Sequence, residues 1–462
     1  MVALLGITLT IRVIFMSKIS LKKIWLLLIL FVAACSNTPP AQESPTVEPP
    51  VTRETLDEPE THEKEVSPAS SPTTLITQEQ QMENNAVSKN LNAFALDLYA
   101  KLKGKAGNLF FSPYSISSAL AMTYAGANGN TKTQMAKILH FDVNPDIHPA
   151  FSSLNKSLTA QSEAYQLNIA NALWGQKELA FLIEFVDLNH EYYGATLKAA
   201  DFKAKTEDSR KRINQWVADK TENKIKELFV PGILNQQTRL VLTNAIYFKG
   251  DWQFPFEQEN TSELPFHLST DTKVDVPTMY REGEFKYMEN ETLQIVELPY
   301  QKNDSQPGLS MLVILPRKVD GLSLIEEKPE QWLSYIEPQR FQRERLKVYL
   351  PKFQLESAFQ LKDALKKLGM SDAFDRNEAD FSALTGEKKL ALSAVVHKAF
   401  VEVNEEGTEA GAATGVVVTL RGILPSPIEF RADHPFIFLI KDNRSDSILF
   451  LGRVSDPKNT TN

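Results

Sequence analysis

Seven histidines and one cysteine are the side chains with which this 462-residue chain could carry acid–base, metal or nucleophilic chemistry. The histidines are His62, His140, His148, His190, His267, His397 and His434. A zinc hydrolase needs two histidines one helical turn apart beside a glutamate, and neither "HEKEV" nor "HEYYG" supplies the second. No cysteine pair can hold zinc, and neither a G-x-S-x-G elbow nor a phosphate loop occurs. Gly126 and Gly129 in "YAGANGN" have neither phosphate-loop spacing nor a preceding strand. His397 lies in the alternating run "VVHKAFVEV", where a lone histidine is ordinarily a hydrogen-bonded core residue. No catalytic residue, metal site or cofactor is assigned, and the chain is read as a protein that is not an enzyme.

A different segment is unusual. In "EEGTEAGAATGVVVTLRG", Glu405 to Gly422, every residue from Gly407 to Gly415 except Glu409 is glycine, alanine or threonine. Core strands favour larger side chains, and solvated linkers favour more polar ones. Three valines follow, and Arg421 is the first basic residue after them.

The ends and the charge narrow the setting. From Met16 to Cys35, Lys18, Lys22 and Lys23 precede an apolar stretch, Ile24 to Ala34, as in a secretory signal. "VAAC" resembles a bacterial lipoprotein box, so residues 1–35 are expected to be a signal peptide, with Met16 as a candidate start. Cys35 is then the lipidated residue and the mature N-terminus. It is the only cysteine, so it has no internal partner for a disulfide. Residues 36–85 hold eight prolines among Glu, Ser and Thr and are expected to be a disordered linker. The localisation expected is export, with a lipid anchor in a bacterial membrane, or the extracellular space after release. A net charge of −8 argues against a nucleic-acid partner.

From Ala86 onward no second linker and no internal repeat is visible, so residues 86–462 read as one domain. Val87, Leu91, Phe94 and Leu98 share a helical face, and Ser112-Pro113 is a helix entry. "RKRINQWVADKTENKIKEL" reads as a further amphipathic helix. "TRLVLTNAIYFKG", "QIVELPY", "LSMLVILP", "RLKVYLPKF", "HPFIFLI" and "SILFLGRV" read as strands. Helices come early and strands late without regular alternation, which gives the α+β class.

Taken together, these segments resemble the serpins. "NLFFSPYSISSALAM" is similar to the family's second helix and "NALW" to one of its strands. "LVLTNAIYFKGDWQFPF" resembles a central strand of its main sheet, and "MSDAFDRNEADFSALT" a further segment. "HKAFVEVNEEGTEAGAAT" resembles the hinge signature, and "DHPFIFLI" the strand beyond it. The resemblance covers Ala86 to Pro457. It implies three β-sheets, about nine helices and an exposed reactive-centre loop at about residues 405–430.

The resemblance also implies roles for particular residues. Glu405, Glu406, Gly407, Thr408, Glu409, Ala410, Gly411, Ala412, Ala413 and Thr414 form the hinge that enters the main sheet after cleavage. Alternation puts Thr408, Ala410, Ala412, Thr414, Val416 and Val418 on one face, all small and uncharged, and Glu409 on the other. Family spacing sets the scissile bond fourteen positions past Gly407, at Arg421-Gly422. A long cation before the bond suits a trypsin-like serine protease, and a shift to Leu420 or Leu424 would suit chymotrypsin-like or elastase-like enzymes. Ser112, Ser115, Asn244 and His397 match a polar shutter, though each could equally be a routine core residue. Trp252 matches the tryptophan where insertion starts. The expected function is suicide inhibition of a trypsin-like protease by a monomer that needs no cofactor. The alternatives are a non-inhibitory serpin acting as carrier or chaperone, and an inhibitor of another serine or cysteine protease.

Overall fold

Ser112 starts a helix as its sequence suggests: its Oγ accepts a hydrogen bond from the Ser115 N–H at 3.1 Å, and Pro113 takes the first helical position. The computed structural model describes residues 78–141, 147–159, 165–195, 197–301, 308–388, 390–408 and 426–460. Cys35, Glu409 to Thr414, Arg421 and Gly422 lie outside the described residues, as do the signal segment and residues 36–77 of the linker.

In chain order the first elements are α1 (Gln78–Leu102), β1 (Leu109–Phe111), α2 (Pro113–Tyr124), α3 (Gly129–Ile138) and α4 (Ile147–Thr159). Then come β2 (Tyr165–Gln176), α5 (Ile183–Tyr193), β3 (Lys198–Ala200), α6 (Thr206–Lys220) and β4 (Leu240–Asp251). β5 (Ser262–His267), β6 (Lys273–Glu289), β7 (Leu293–Pro299), β8 (Leu309–Pro316), α7 (Leu322–Glu327) and α8 (Glu330–Tyr335) follow. The remainder comprises β9 (Gln342–Pro351), β10 (Phe353–Gln360), α9 (Lys362–Leu368), α10 (Ser382–Thr385) and β11 (Ala394–Val403). It ends with β12 (Gly407–Thr408), β13 (Ile428–Arg431), β14 (Phe436–Asp442) and β15 (Ile448–Val454).

The α+β class holds, with helices first and strands after, but several expected boundaries move. α1 begins at Gln78, inside the expected linker of residues 36–85, because the last proline of that stretch is Pro72 and Gln and Glu favour a helix. α6 stops at Lys220, since Glu222 and Asn223 take positive φ values of 50° and 62° and turn the chain. Within the expected loop 405–430, Gly407 and Thr408 already form β12, and β13 begins at Ile428. Ten α-helices occur among the described residues against about nine expected.

Hydrogen bonding joins the strands into two networks rather than three. One has nine strands in the order β1-β15-β14-β8-β7-β6-β9-β13, with β5 on β6. The 17-residue β6 causes the merger, since its start pairs with β5, Thr278 to Tyr287 pair with β9, and its end pairs with β7. The other network is the main sheet, β10-β11-β4-β2-β3, with β12 added to β4. Its β4 alternates between two cores, as a strand buried on both faces must. Leu242, Ile246 and Phe248 join the large core shared with α1 and α2. Val241, Ala245 and Tyr247 join a smaller core on the other face with Ile213, Val217, Ile225 and Phe229, from α6 and the strap after it.

Candidate functional site: the seam and mouth of the main sheet

β4 and β11 run parallel, from Val241 opposite Ala394 to Tyr247 opposite Phe400. Midway along this seam three polar residues occupy one rung: Asn171 on β2 faces Asn244 on β4, which faces His397 on β11. The entry of α2 lies against the same rung. The backbone N–H of Ser112 donates to His397 Nε2 at 3.1 Å, so the ring proton sits on Nδ1 and donates to Asn244 Oδ1. Asn244 Nδ2 donates to Ser115 O at 2.8 Å, to Ser115 Oγ at 2.6 Å and to Asn171 Oδ1. Ser112 Oγ donates to Leu449 O at 2.6 Å, which ties the cluster to β15. Ser112, Ser115, Asn244 and His397 are thus brought together, all buried. Asn244 and His397 bridge the two strands of the seam through one hydrogen bond.

Burial pushes the His397 imidazole down to about 3. An unfolded histidine titrates near ~6.5, so acid favours the unfolded chain, which takes up the proton first. The stability contributed by the neutral ring is complete above ~6.5 and is lost as pH falls from there toward about 3. The loss is on the order of 5 kcal/mol across that window. Urea denaturation of the native chain at stepped pH is expected to reveal it, and His397→Gln should flatten the slope while lowering stability at neutral pH. An unchanged slope in the variant would assign the acid sensitivity elsewhere.

Beyond Phe400 the strands diverge and the chain doubles back. Asn404 organises the turn, with its Oδ1 accepting from the N–H groups of Glu406 and Gly407 at 3.1 and 3.2 Å. β12 then pairs antiparallel with β4, Gly407 opposite Asp251 and Thr408 opposite Gly250. The approach is so close that a Cβ on Gly407, where φ is +152°, would stand 2.2 Å from the Gly250 carbonyl oxygen. Trp252 lies here and not in the rung. Its indole N–H donates to Asn404 O at 3.0 Å, its backbone N–H donates to Glu406 O at 2.8 Å, and its ring stacks on Tyr300 at 4.6 Å.

Of the two acidic residues of the turn, Glu405 is committed to partners. It pairs with Lys352, in the link between β9 and β10, at 2.7 Å and accepts from Thr261 Oγ1 at 2.7 Å. Burial pushes its carboxyl up, but those hydrogen bonds outweigh burial and hold it below the usual range. One carboxylate oxygen of Glu406 and one of Asp251 are buried without hydrogen-bond partners. Burial raises the Asp251 carboxyl; Lys249 opposes the shift and Glu406 adds to it. Glu405→Gln is expected to lower native stability by ~2 kcal/mol, below the ~3–5 kcal/mol of a fully buried pair because Lys352 is partly exposed. Thermal melting checks this, and a loss below ~0.5 kcal/mol would make the pair ordinary surface decoration.

Sequence reasoning missed Asn171, Lys352, Asn404 and Tyr300. Asn171 had a visible signal, an amide inside the apolar strand "IANALW"; the others are defined only by what folding brings beside the hinge. Among the described residues no three metal-binding side chains converge, and no helix is long and apolar enough to cross a membrane.

Comparison with known proteins agrees with this geometry. Residues 89–457 match the family model described as "Serpin (serine protease inhibitor)". The human leukocyte elastase inhibitor is 43% identical over 374 residues, covering 79% of this chain and 97% of its own length. A crystal structure of uncleaved ovalbumin superimposes with a TM-score of 0.73 at 31% identity, covering 80% of this chain and 100% of ovalbumin. Serpin48 of the insect Tenebrio molitor gives 0.72 at 36% identity, covering 82% and 99%. With the family model and these relatives spanning the whole of the main sheet and its mouth, the chain belongs to the serpin family.

Proposed function

We propose that this chain is an inhibitory serpin that traps a trypsin-like serine protease at Arg421-Gly422. One observation carries the reading: β12 already sits at the mouth of the seam, antiparallel to β4, as the first two residues of an inserting strand would. Continuing that register one residue at a time would set Ala410 opposite Phe248, Ala412 opposite Ile246 and Thr414 opposite Asn244. Those residues would face the large core, and Gly411, Ala413 and Gly415 would face the strap. Glu409 would meet Lys249, so the one charge of the segment would find a partner.

In the proposed cycle the protease serine attacks the Arg421 carbonyl, the Gly422 amine leaves, and an acyl-enzyme forms. The freed segment then parts the rung at Asn244 and His397 and enters between β4 and β11. About fourteen residues at ~3.3 Å each carry the protease on the order of 45 Å. Distortion of its oxyanion hole then leaves the ester unhydrolysed.

The test is to mix the full chain with trypsin, run denaturing gels and weigh the small fragment. A stable complex with a peptide beginning at Gly422 supports the proposal. Cleavage without a complex favours the carrier or chaperone alternative. The relatives are named as elastase inhibitors, and a peptide starting after Leu420 or Leu424 in the presence of elastase would move the bond and the target class. We further infer that Cys35 anchors the domain to a bacterial membrane through residues 36–77, which lie outside the family match. The support is the basic and apolar pattern before "VAAC", and radiolabelled lipid incorporation lost in Cys35→Ser is the check.

A further inference from the structure

The last closed rung of the seam is Tyr247 opposite Phe400, immediately below the point where β12 enters. The two side chains lie on the strap side of the sheet, with ring centroids 6.0 Å apart. Each belongs to a different strand, so an inserting segment must separate them before any other pair. From the strap, the Lys224 ammonium stands 5.7 Å from the Tyr247 ring centroid and 5.5 Å from that of Phe400. Both distances are within the ~6 Å range of cation–π attraction.

Lys224 is placed there by the turn that ends α6. Left-handed Glu222 and Asn223 redirect the chain, Lys224 N–H donates to Thr221 O at 2.8 Å, and Ile225 is buried against the sheet. The lysine therefore hangs over the seam from a segment that is itself fastened down. Lys398 of β11 adds a second tie to the same strap, donating to Glu227 O at 2.9 Å.

We infer that Lys224 is a positioning residue that clasps the two strands of the seam, holding Tyr247 and Phe400 together until the loop is cut. The inference rests on the insertion reading above. Its physical basis is that one cation satisfies two rings only while the strands are adjacent. Once a strand lies between them, the rings stand on the order of 10 Å apart, two strand spacings, and the ammonium can serve only one. The clasp thus favours the closed sheet over the open one without contacting the protease or the scissile bond.

Hydrogen exchange along 246–248 of β4 and 399–401 of β11 tests this in the full chain, before and after trypsin cleavage. The variants are Lys224→Met, Lys224→Gln and Lys224→Arg. In the uncleaved form, Met and Gln should exchange roughly fivefold faster than wild type, while Arg, which keeps the cation, stays within about twofold. In the cleaved form all four should be equally protected, because the clasp no longer spans the strands. Spontaneous loss of inhibitory activity at raised temperature should speed up in the same order. Equal protection of Met, Gln and wild type before cleavage would overturn the clasp. Equal losses before and after cleavage would also overturn it, reducing Lys224 to ordinary surface packing. If cleaved wild type gains no protection over uncleaved, insertion itself fails and the gating role falls with it. That outcome is recognisable because it involves no variant.

Discussion

Replacing Ala412 with glutamate is expected to convert the trap into a substrate. If the register that β12 sets on β4 continued, residue 412 would come opposite Ile246, which is fully buried in the large core. A carboxylate carried there has no partner, and burying an uncompensated charge costs several kcal/mol. Since each ~1.4 kcal/mol is a factor of ten in rate, insertion should slow by roughly a hundredfold or more. Hydrolysis of the acyl-enzyme then wins the race. The measurement is the number of serpin molecules consumed per trypsin inactivated, expected to rise from near ~1 to above ~100, while Arg421-Gly422 is still cut at an undiminished rate. A variant that went on trapping trypsin would show either that the register differs or that the segment does not insert. Ala413→Glu makes a useful contrast, because residue 413 would face the strap side, which already has to move.

Exchanging Arg421 for alanine should have the second large effect, confined to recognition. Trypsin's preference for a cation comes from a carboxylate at the base of its specificity pocket. Leaving that carboxylate unpaired costs about 4 kcal/mol or more, so the association rate should fall by ~10³-fold. Stability and the hinge should be untouched, and an elastase that accepts small side chains should be inhibited better than before. Stopped-flow competition with a chromogenic substrate reads both rates. Undiminished trypsin inhibition would mean that the bond lies elsewhere.

The small-residue run and the arginine behind it stand out in the sequence because their signal is local; the hinge and bond roles given to them belong to the proposal. A run of small residues at fixed distance from an arginine is visible without knowing what surrounds it. Most of the strand runs were legible for the same reason and appear in the sheets within a residue or two, but "RLKVYLPKF" starts three residues into β9 and runs across its end into β10. Ser112, Ser115, Asn244 and His397 were each readable as polar residues in apolar surroundings, but that they meet follows only from the pairing of β4 with β11. Asn171 completes their rung through a third strand, and Lys352 reaches Glu405 from the link between β9 and β10. Neither contact leaves a periodic trace in the chain. The merging of two expected sheets was hidden too, since a 17-residue strand that changes partners reads in sequence like two strands.

The parallel seam has a further consequence. Seven consecutive residues of β11 are matched to β4, from Ala394 to Phe400. An inserted segment running the other way would replace that one ladder with two antiparallel ones. Undoing the change would mean stripping both flanks at once, a barrier on the scale of global unfolding. In the proposed cycle the molecule therefore has no return stroke, and it stores one bit of history in the strand count of its main sheet. A population of such molecules is a tally of past encounters. The fraction that melts at high temperature would count the proteases met since synthesis, and protection would last only as long as new chains replaced the spent ones.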